Sequence, residues 1–198
     1  SNDSKNLFYF SSVDKSDTIE KKGQIEMNCS ELITSRRSVR KYLNKEIPNE
    51  LIERLLQAAH WAPSGGNMQP WHFYVLRGEA KQKVCDSLRR PTHWIYSAPV
   101  VILVSAEPER SEAQYGERGK NLYCLQDTAA AIQNILICAK ANGLSTCWVG
   151  AFDETACKEA LNLPNERRPV AMISVGYSEE EPKAPERRPL TEVVTFLD

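Results

Sequence analysis

Four short stretches hold residue types that could do chemistry. In Arg36-Arg37-Ser38-Val39-Arg40-Lys41 the charges are interrupted at a regular step. Extended backbone would turn residues 36, 38 and 40 one way and Val39 the other, gathering two guanidiniums and a hydroxyl on one point. Guanidinium forks match phosphate oxygens bidentately, and a serine adds a short donor. The plain alternative is a solvated basic turn after a helix. The second stretch, Trp61 to Trp71, reads WAPSGGNMQPW. Gly65 and Gly66 let the backbone approach a flat ligand without a side chain in the way. Ser64, Asn67 and Gln69 offer the neutral donors and acceptors that a heteroaromatic ring edge needs; the competing reading is an ordinary Pro-Gly loop. The third, Cys147-Trp148-Val149-Gly150-Ala151-Phe152, presents bare backbone N–H groups at Gly150 and Ala151, or marks a small-residue packing point at a buried strand end. The fourth, Arg187-Arg188-Pro189, is a tail cation that either stays solvated or reaches the anion shared by Arg36 and Arg40.

Other chemistries have no carrier. The chain contains no G-x-G-x-x-G, no Walker loop, no G-x-S-x-G and no H-E-x-x-H. His60, His72 and His93 lack metal-ligand spacing, so no metal is expected and no catalytic side chain is nominated.

The elements that must position these stretches fit one domain. At 198 residues the chain buries a core without disulfide or metal staples. Hydrophobic residues at 41% and charged residues at 26% exclude a disordered, collagenous or channel protein. With 25 basic against 26 acidic residues, no broad nucleic-acid footprint is expected. No apolar run approaches the roughly 20 residues of a membrane helix. The six cysteines form no C-x-x-C and read as free thiols of a reduced cytoplasm. The chain starts at Ser1 without methionine, so export or lipid anchoring is the alternative if a segment upstream of Ser1 was removed.

Residues 1–28 read as an N-terminal arm around Leu7-Phe8-Tyr9-Phe10, and residues 29–198 as the domain. Ser30 is a suitable N-cap for a short helix through Ser35. A second helix opens at Asn49 on the stripe Leu51, Ile52, Leu55, Leu56 and Ala59, and stops before Pro63. Trp71–Leu76 reads as a strand, residues 79–89 as a polar helix, and Val100–Val104 as an interior strand apolar on both faces. Residues 121–142 form a helix whose apolar arc is too wide for a surface helix, so it is central or packs on a second subunit; Gly143 stops it. Thr146–Phe152 is extended, Asp153 caps a helix ending before Pro164, and Val170–Val175 is another two-face strand. The order predicts an α+β fold, with helices on both sides of a small sheet.

Taken in order, S-R-R-S-V-R-K-Y, A-P-S-G-G-N-M-Q-P-W-H-F, a long apolar helix, C-W-V-G-A-F and R-R-P-L-T-E-V-V resemble the nitroreductase family of FMN-dependent oxidoreductases, over about residues 30–196. The resemblance implies a three-layer α/β/α sandwich around a small mixed sheet, in an intertwined homodimer with two sites at its interface. It implies that Arg36, Arg37, Ser38 and Arg40 hold the FMN phosphate, joined by Arg188, with Arg187 the other choice. Pro63, Ser64, Gly65 and Asn67, with Gln69 nearby, would come from the partner subunit and lie along the isoalloxazine. Val149, Gly150 and Ala151 would place backbone N–H groups at the flavin's reactive edge. The stretch 106–120, where members differ in their substrate-covering helices, is short and polar and shows no recognisable lid. The implied activity is hydride transfer from NADH or NADPH through flavin to nitroaromatic, quinone or similar small electron-poor acceptors, in ping-pong fashion. The competing functions are another flavin reaction on the scaffold, such as dehalogenation or flavin degradation, and a non-enzymatic flavin-binding redox module.

Overall fold

The computed structural model describes residues 28–89 and 93–197. Nearly all of the expected arm over 1–28, with its aromatic patch, lies outside the described residues. Helix α1 (Cys29–Ser35) begins one residue before Ser30. Its cap is Asn28, because Asn28 and Glu31 close a reciprocal capping box, each backbone N–H donating 3.0 Å to the other's side chain. Helix α2 (Asn49–His60) and strand β1 (Trp71–Leu76) follow the sequence pattern. Helix α3 (Gly78–Cys85) is shorter than the pattern suggests. Past it, the Ser87 hydroxyl donates to the Val84 carbonyl, and Leu88 leaves to bridge Phe152.

Strand β2 (Val100–Ala106) leads into α4 (Pro108–Arg118), a turn of π-helix over Gly119–Tyr123, and the long α5 (Cys124–Ala141). Strand β3 (Ser145–Val149), α6 (Glu154–Leu161) and β4 (Arg168–Gly176) complete the domain. Asp153 caps α6 as its position suggests, accepting from Ala156 N–H at 2.9 Å. After β4 the chain runs through an exposed tail with one short 3₁₀ turn at Leu190–Glu192.

The sheet order is β1-β2-β4-β3, and every pairing of these strands is antiparallel. The expected mixed character is confined to one isolated parallel bridge, Ser38 to Thr146, on the outer side of β3. The connection after β1 returns the chain antiparallel beside it; β2 and β3 run parallel to each other but with β4 between them, so no two paired strands of the four are parallel. In β2 the alternation is complete. Val100, Ile102 and Val104 face Leu55, Ile132, Ile135 and Ile173 under α2 and α5, while Val101 and Leu103 face Val84, Ile95, Cys157 and Met172 under α3 and α6. Each such buried aliphatic side chain contributes about 1.5–3 kcal/mol. The result is the three-layer α+β arrangement, with α5 inside it. Most of the wide apolar arc of α5 is used within the chain, where α5 touches α2, α1 and all four strands, while Leu125, Ala129 and Ile137 stay half-exposed.

The junction of α4 and α5 is the tightest place in the described fold. Gly116 breaks α4 with φ 54° and ψ −146°, and Gly119 then passes so close to Ser111 that a Cβ there would sit 2.2 Å from the Ser111 carbonyl oxygen. That neighbour is backbone and cannot rotate away. Gly119→Ala should cost about 2–3 kcal/mol and lower Tm by about 5–10 °C in a thermal melt. An unchanged midpoint would mean the junction is free to shift.

Candidate functional site

Arg36 ends α1 in an extended conformation, and Ser38 then bridges β3 while Val39 N–H donates to the Thr146 carbonyl at 2.9 Å. Arg36 and Val39, with the last turn of α5, border a cleft of about 260 Å³, lined by Ser35, Arg37, Lys140, Glu180 and Glu181 among others; Ser38 is outside that lining, its hydroxyl bonded to the Cys147 thiol. Arg37 is anchored, its guanidinium donating to the Thr34 and Arg36 carbonyls at 2.6 and 2.8 Å. The Ser35 hydroxyl is buried in this cleft and has no hydrogen-bond partner. The expected alternation fails at Arg40. Its guanidinium lies 5.7 Å from the centre of the Trp94 ring, away from the cleft lining, because the segment holds a single bridge and Val39 pulls the following turn into a small core with Tyr42, Ala98 and Trp94. An acidic group already sits at this corner, for Arg40 N–H donates to the Glu180 carboxylate at 2.9 Å. Beneath it the Cys147 thiol is pushed up by burial, with Arg40, Ser38 and Arg36 pulling it partly back.

The loop after α2 is built differently. Pro63 is exposed and Ser64 half-buried; Gly66, Asn67 and Gln69 all take left-handed backbone, at φ 56°, 56° and 50°. Ser64 Oγ accepts from Gln69 N–H at 3.0 Å and closes the loop. Its near end is held from α5, where Gly65 N lies 3.3 Å from both carboxylate oxygens of Asp127. That carboxylate is buried, and burial raises its pKa, with the Gly65 N–H opposing. The stretch 106–120 covers this loop after all. A Cβ at Gly66 would meet the Gln114 side-chain oxygen and the Tyr115 hydroxyl, each at 2.6 Å, and Tyr115 and Tyr123 pack edge-to-face 5.1 Å apart beside Gly65. Its polar sequence hid this, because the two tyrosines are separated by the Gly116 break and share no helical stripe.

The third stretch is pinned from one side. Val149 ends β3 opposite Met172, Arg89 N–H donates to the Ala151 carbonyl at 3.2 Å, and Asp153 N–H donates to the Ser87 carbonyl at 2.8 Å. Gly150 and Ala151 are exposed, and neither N–H donates to a backbone acceptor among the described residues. Arg188 is not brought to the cleft. It lies on the exposed tail, paired with Glu192 at 3.1 Å, and Arg187 is exposed beside it. No group of His, Cys, Asp or Glu among the described residues could hold a metal, and no described helix is long and apolar enough to cross a membrane.

The arginine cleft, the glycine loop and the bare N–H pair thus stand in the order the motifs gave. The family model described as Nitroreductase family matches residues 33–92 and 87–177. This chain belongs to the nitroreductase family. An Archaeoglobus fulgidus protein, provisionally named an NADH dehydrogenase/NAD(P)H nitroreductase, is 34% identical over 157 residues, which is 77% of this chain and 87% of that one. The 4-nitrobenzoate reductase of a Nocardioides species is 30% identical, covering 84% of this chain and 88% of its own length. The crystal structure of a Desulfovibrio desulfuricans protein in complex with FMN superposes with a TM-score of 0.77 at 30% identity, over 88% of this chain and 99% of that one.

In this nitroreductase-family chain, sequence reasoning missed Ser35, Lys140, Asp127, Tyr115 and Tyr123. Ser35 stood one residue ahead of the arginines, in the S-R-R-S motif itself. Asp127 lies between Gln126 and Thr128, in the most polar part of α5, so nothing in the sequence marks it as buried. The cleft should bind inorganic phosphate. With a Kd of about 1 mM, about 10 mM phosphate should stabilise the fold by about 1.4 kcal/mol, a rise in Tm of about 3–6 °C. Arg36→Ala should remove most of that rise, and Glu181→Gln should enlarge it. A rise that survives Arg36→Ala would place the anion elsewhere.

Proposed function

We propose that this protein is an FMN-dependent oxidoreductase that draws hydride from NADH or NADPH and passes electrons to nitroaromatic, quinone or similar electron-poor acceptors. The observation that carries the reading is the cleft. A buried serine hydroxyl without a partner lies there with Arg36, Arg37 and Lys140 in the lining, and this donor set fits a phosphate monoester. FMN, when bound, supplies the redox chemistry, taking hydride from the nicotinamide and yielding electrons to the acceptor.

The chain's own work is to bind, orient and exclude water. Ser35 and Arg36 would hold the phosphate, joined by Arg37 if it releases the Thr34 and Arg36 carbonyls and by Ser38 if it releases the Cys147 thiol. Arg40 would act mainly through its charge from beside Trp94, and Arg188 would join only by exchanging Glu192 for the phosphate. The Gly150 and Ala151 N–H groups are available as donors to a heteroaromatic edge, where fixed N–H dipoles stabilise developing negative charge. Pro63, Ser64, Gly65, Asn67 and Gln69 offer a flat, mostly backbone surface for the ring itself.

We infer further that the site needs two copies of the chain. Lys140 at the cleft and Asp127 at the loop are thirteen positions apart on α5, about 20 Å along its axis. A two-fold pairing that runs the α5 helices in opposite directions would set the loop of one chain beside the cleft of the other. The tail supports association, because Phe196 and Leu197 are each 90% exposed and Val193 and Val194 lie exposed beside them.

The test is spectroscopic and kinetic. The purified protein should be yellow, should bleach under anaerobic NADH or NADPH, and should regain colour when a nitroaromatic or quinone is added. With donor and acceptor taking turns at one flavin face, double-reciprocal plots should be parallel. A colourless protein that rejects added FMN would sink the reading. Colour without bleaching would favour a non-enzymatic flavin module, and intersecting lines would refute the shared face.

A further inference from the structure

Asp127 is the one acidic or basic residue that is buried among the described residues. It lies in the first turn of α5 with 8% of its surface exposed, and its hydrogen bonding is limited to one Gly65 N–H shared by both oxygens at 3.3 Å. A carboxylate can accept about four hydrogen bonds, and a desolvated charge so poorly partnered is costly. The groups around it do not relieve that cost. Cys124, one turn earlier, has a thiol itself pushed up by burial, and the cation felt there, Arg168, acts on that thiol. Tyr115 and Tyr123 close over Gly65 with phenol rings. Burial accordingly raises the Asp127 pKa, and no charged neighbour offsets it.

The one thing the carboxylate does is grip the loop. Downstream of Gly65, two non-glycine residues, Asn67 and Gln69, stand in left-handed backbone, a conformation that persists only where its surroundings over-determine it. Ser64 Oγ holds the far end through Gln69 N–H. Asp127 holds the near end.

We propose that Asp127 is a positioning residue: by holding Gly65 N–H it keeps the loop over residues 65–69, with its left-handed Gly66, Asn67 and Gln69, in the path that presents backbone to the flavin. This rests on the FMN reading above. The position trades stability for placement. Because burial raises the folded-state pKa, the penalty on the ionised form is present at neutral pH and vanishes as the pH falls below the ordinary carboxylate range. A neutral isostere escapes it.

The decisive variant is Asp127→Asn, measured on the full chain beside Asp127→Ala. Hydrogen exchange of the Gly65 and Gly66 amides, without FMN, should quicken about fivefold or more in Asp127→Asn, and FMN should bind about tenfold more weakly. Its Tm at pH 7 should be no lower than that of the unmutated protein, and Asp127→Ala should lose more binding. Unchanged FMN affinity in both Asp127→Asn, which keeps one acceptor oxygen, and Asp127→Ala, which keeps none, would overturn the proposal. So would a fall in Tm accompanied by faster exchange throughout the core strands, which would assign Asp127 to stability alone. If Asp127→Asn does not fold, the Gly65 amide resonance of the unmutated chain decides. It should shift with a single titration above the ordinary carboxylate range, and a flat response would overturn the proposal. If the unmutated protein binds no FMN, the functional reading fails, while the exchange and titration measurements still decide whether Asp127 holds the loop.

Discussion

The rise of an α-helix, about 1.5 Å per residue, fixes where the candidate contacts can be. α5 is 18 residues long and packs against α2, α1 and the sheet. Its first turn carries Asp127 and through it the glycine loop; its last turn carries Lys140 and borders the arginine cleft. A helix so deeply packed cannot bend to bring its ends together, because Ile132, Ile135, Leu136 and Ala139 are locked between α2 and the strands. The arginine cleft and the glycine loop are therefore held apart by the core itself. On the proposal that both serve one FMN, a second chain running opposite closes the gap.

Electrostatics divide the surface in the same way. The cleft gathers Arg36, Arg37 and Lys140 but also Glu180 and Glu181, so its net field is modest. The loop end presents backbone and amide groups, with Asp127 buried behind them. Strong charge suits a phosphate, and neutral donors suit a ring system. No acid–base pair is needed between them, since hydride chemistry belongs to the cofactor.

Much of this was legible in the sequence, and the failures are specific. The two-face run at 100–104 and the stripe of α2 stated their burial directly, and the core bears them out residue by residue. The Asn28 cap escaped because a nearer serine offered the same chemistry. Arg40 was misdirected because Trp94, distant in sequence, captures its guanidinium. α4 was invisible as a cover because its contact with Gly66 depends on Gln114 and Tyr115, polar-faced residues ahead of a glycine break. Long-range partners of this kind leave no periodic trace. The order of the motifs survived these errors, because each motif is local and its backbone geometry is written in glycine, proline and serine.

The two-chain site is tested most directly by mixing subunits. A chain carrying Arg36→Ala lacks the cleft, and a chain with Gly66→Val, whose left-handed backbone and crowded Cβ position disfavour any side chain, lacks the loop. Each variant alone should bind little FMN. Co-expressed with different affinity tags, they should form mixed dimers in which one site carries both defects and the other carries neither. If each site draws on two chains, such dimers should bind FMN at about one site in two, with close to unmutated affinity and NAD(P)H oxidation per occupied site. Mixed dimers that bind no FMN would show that cleft and loop serve one ligand within a single chain, and would contradict the two-chain site.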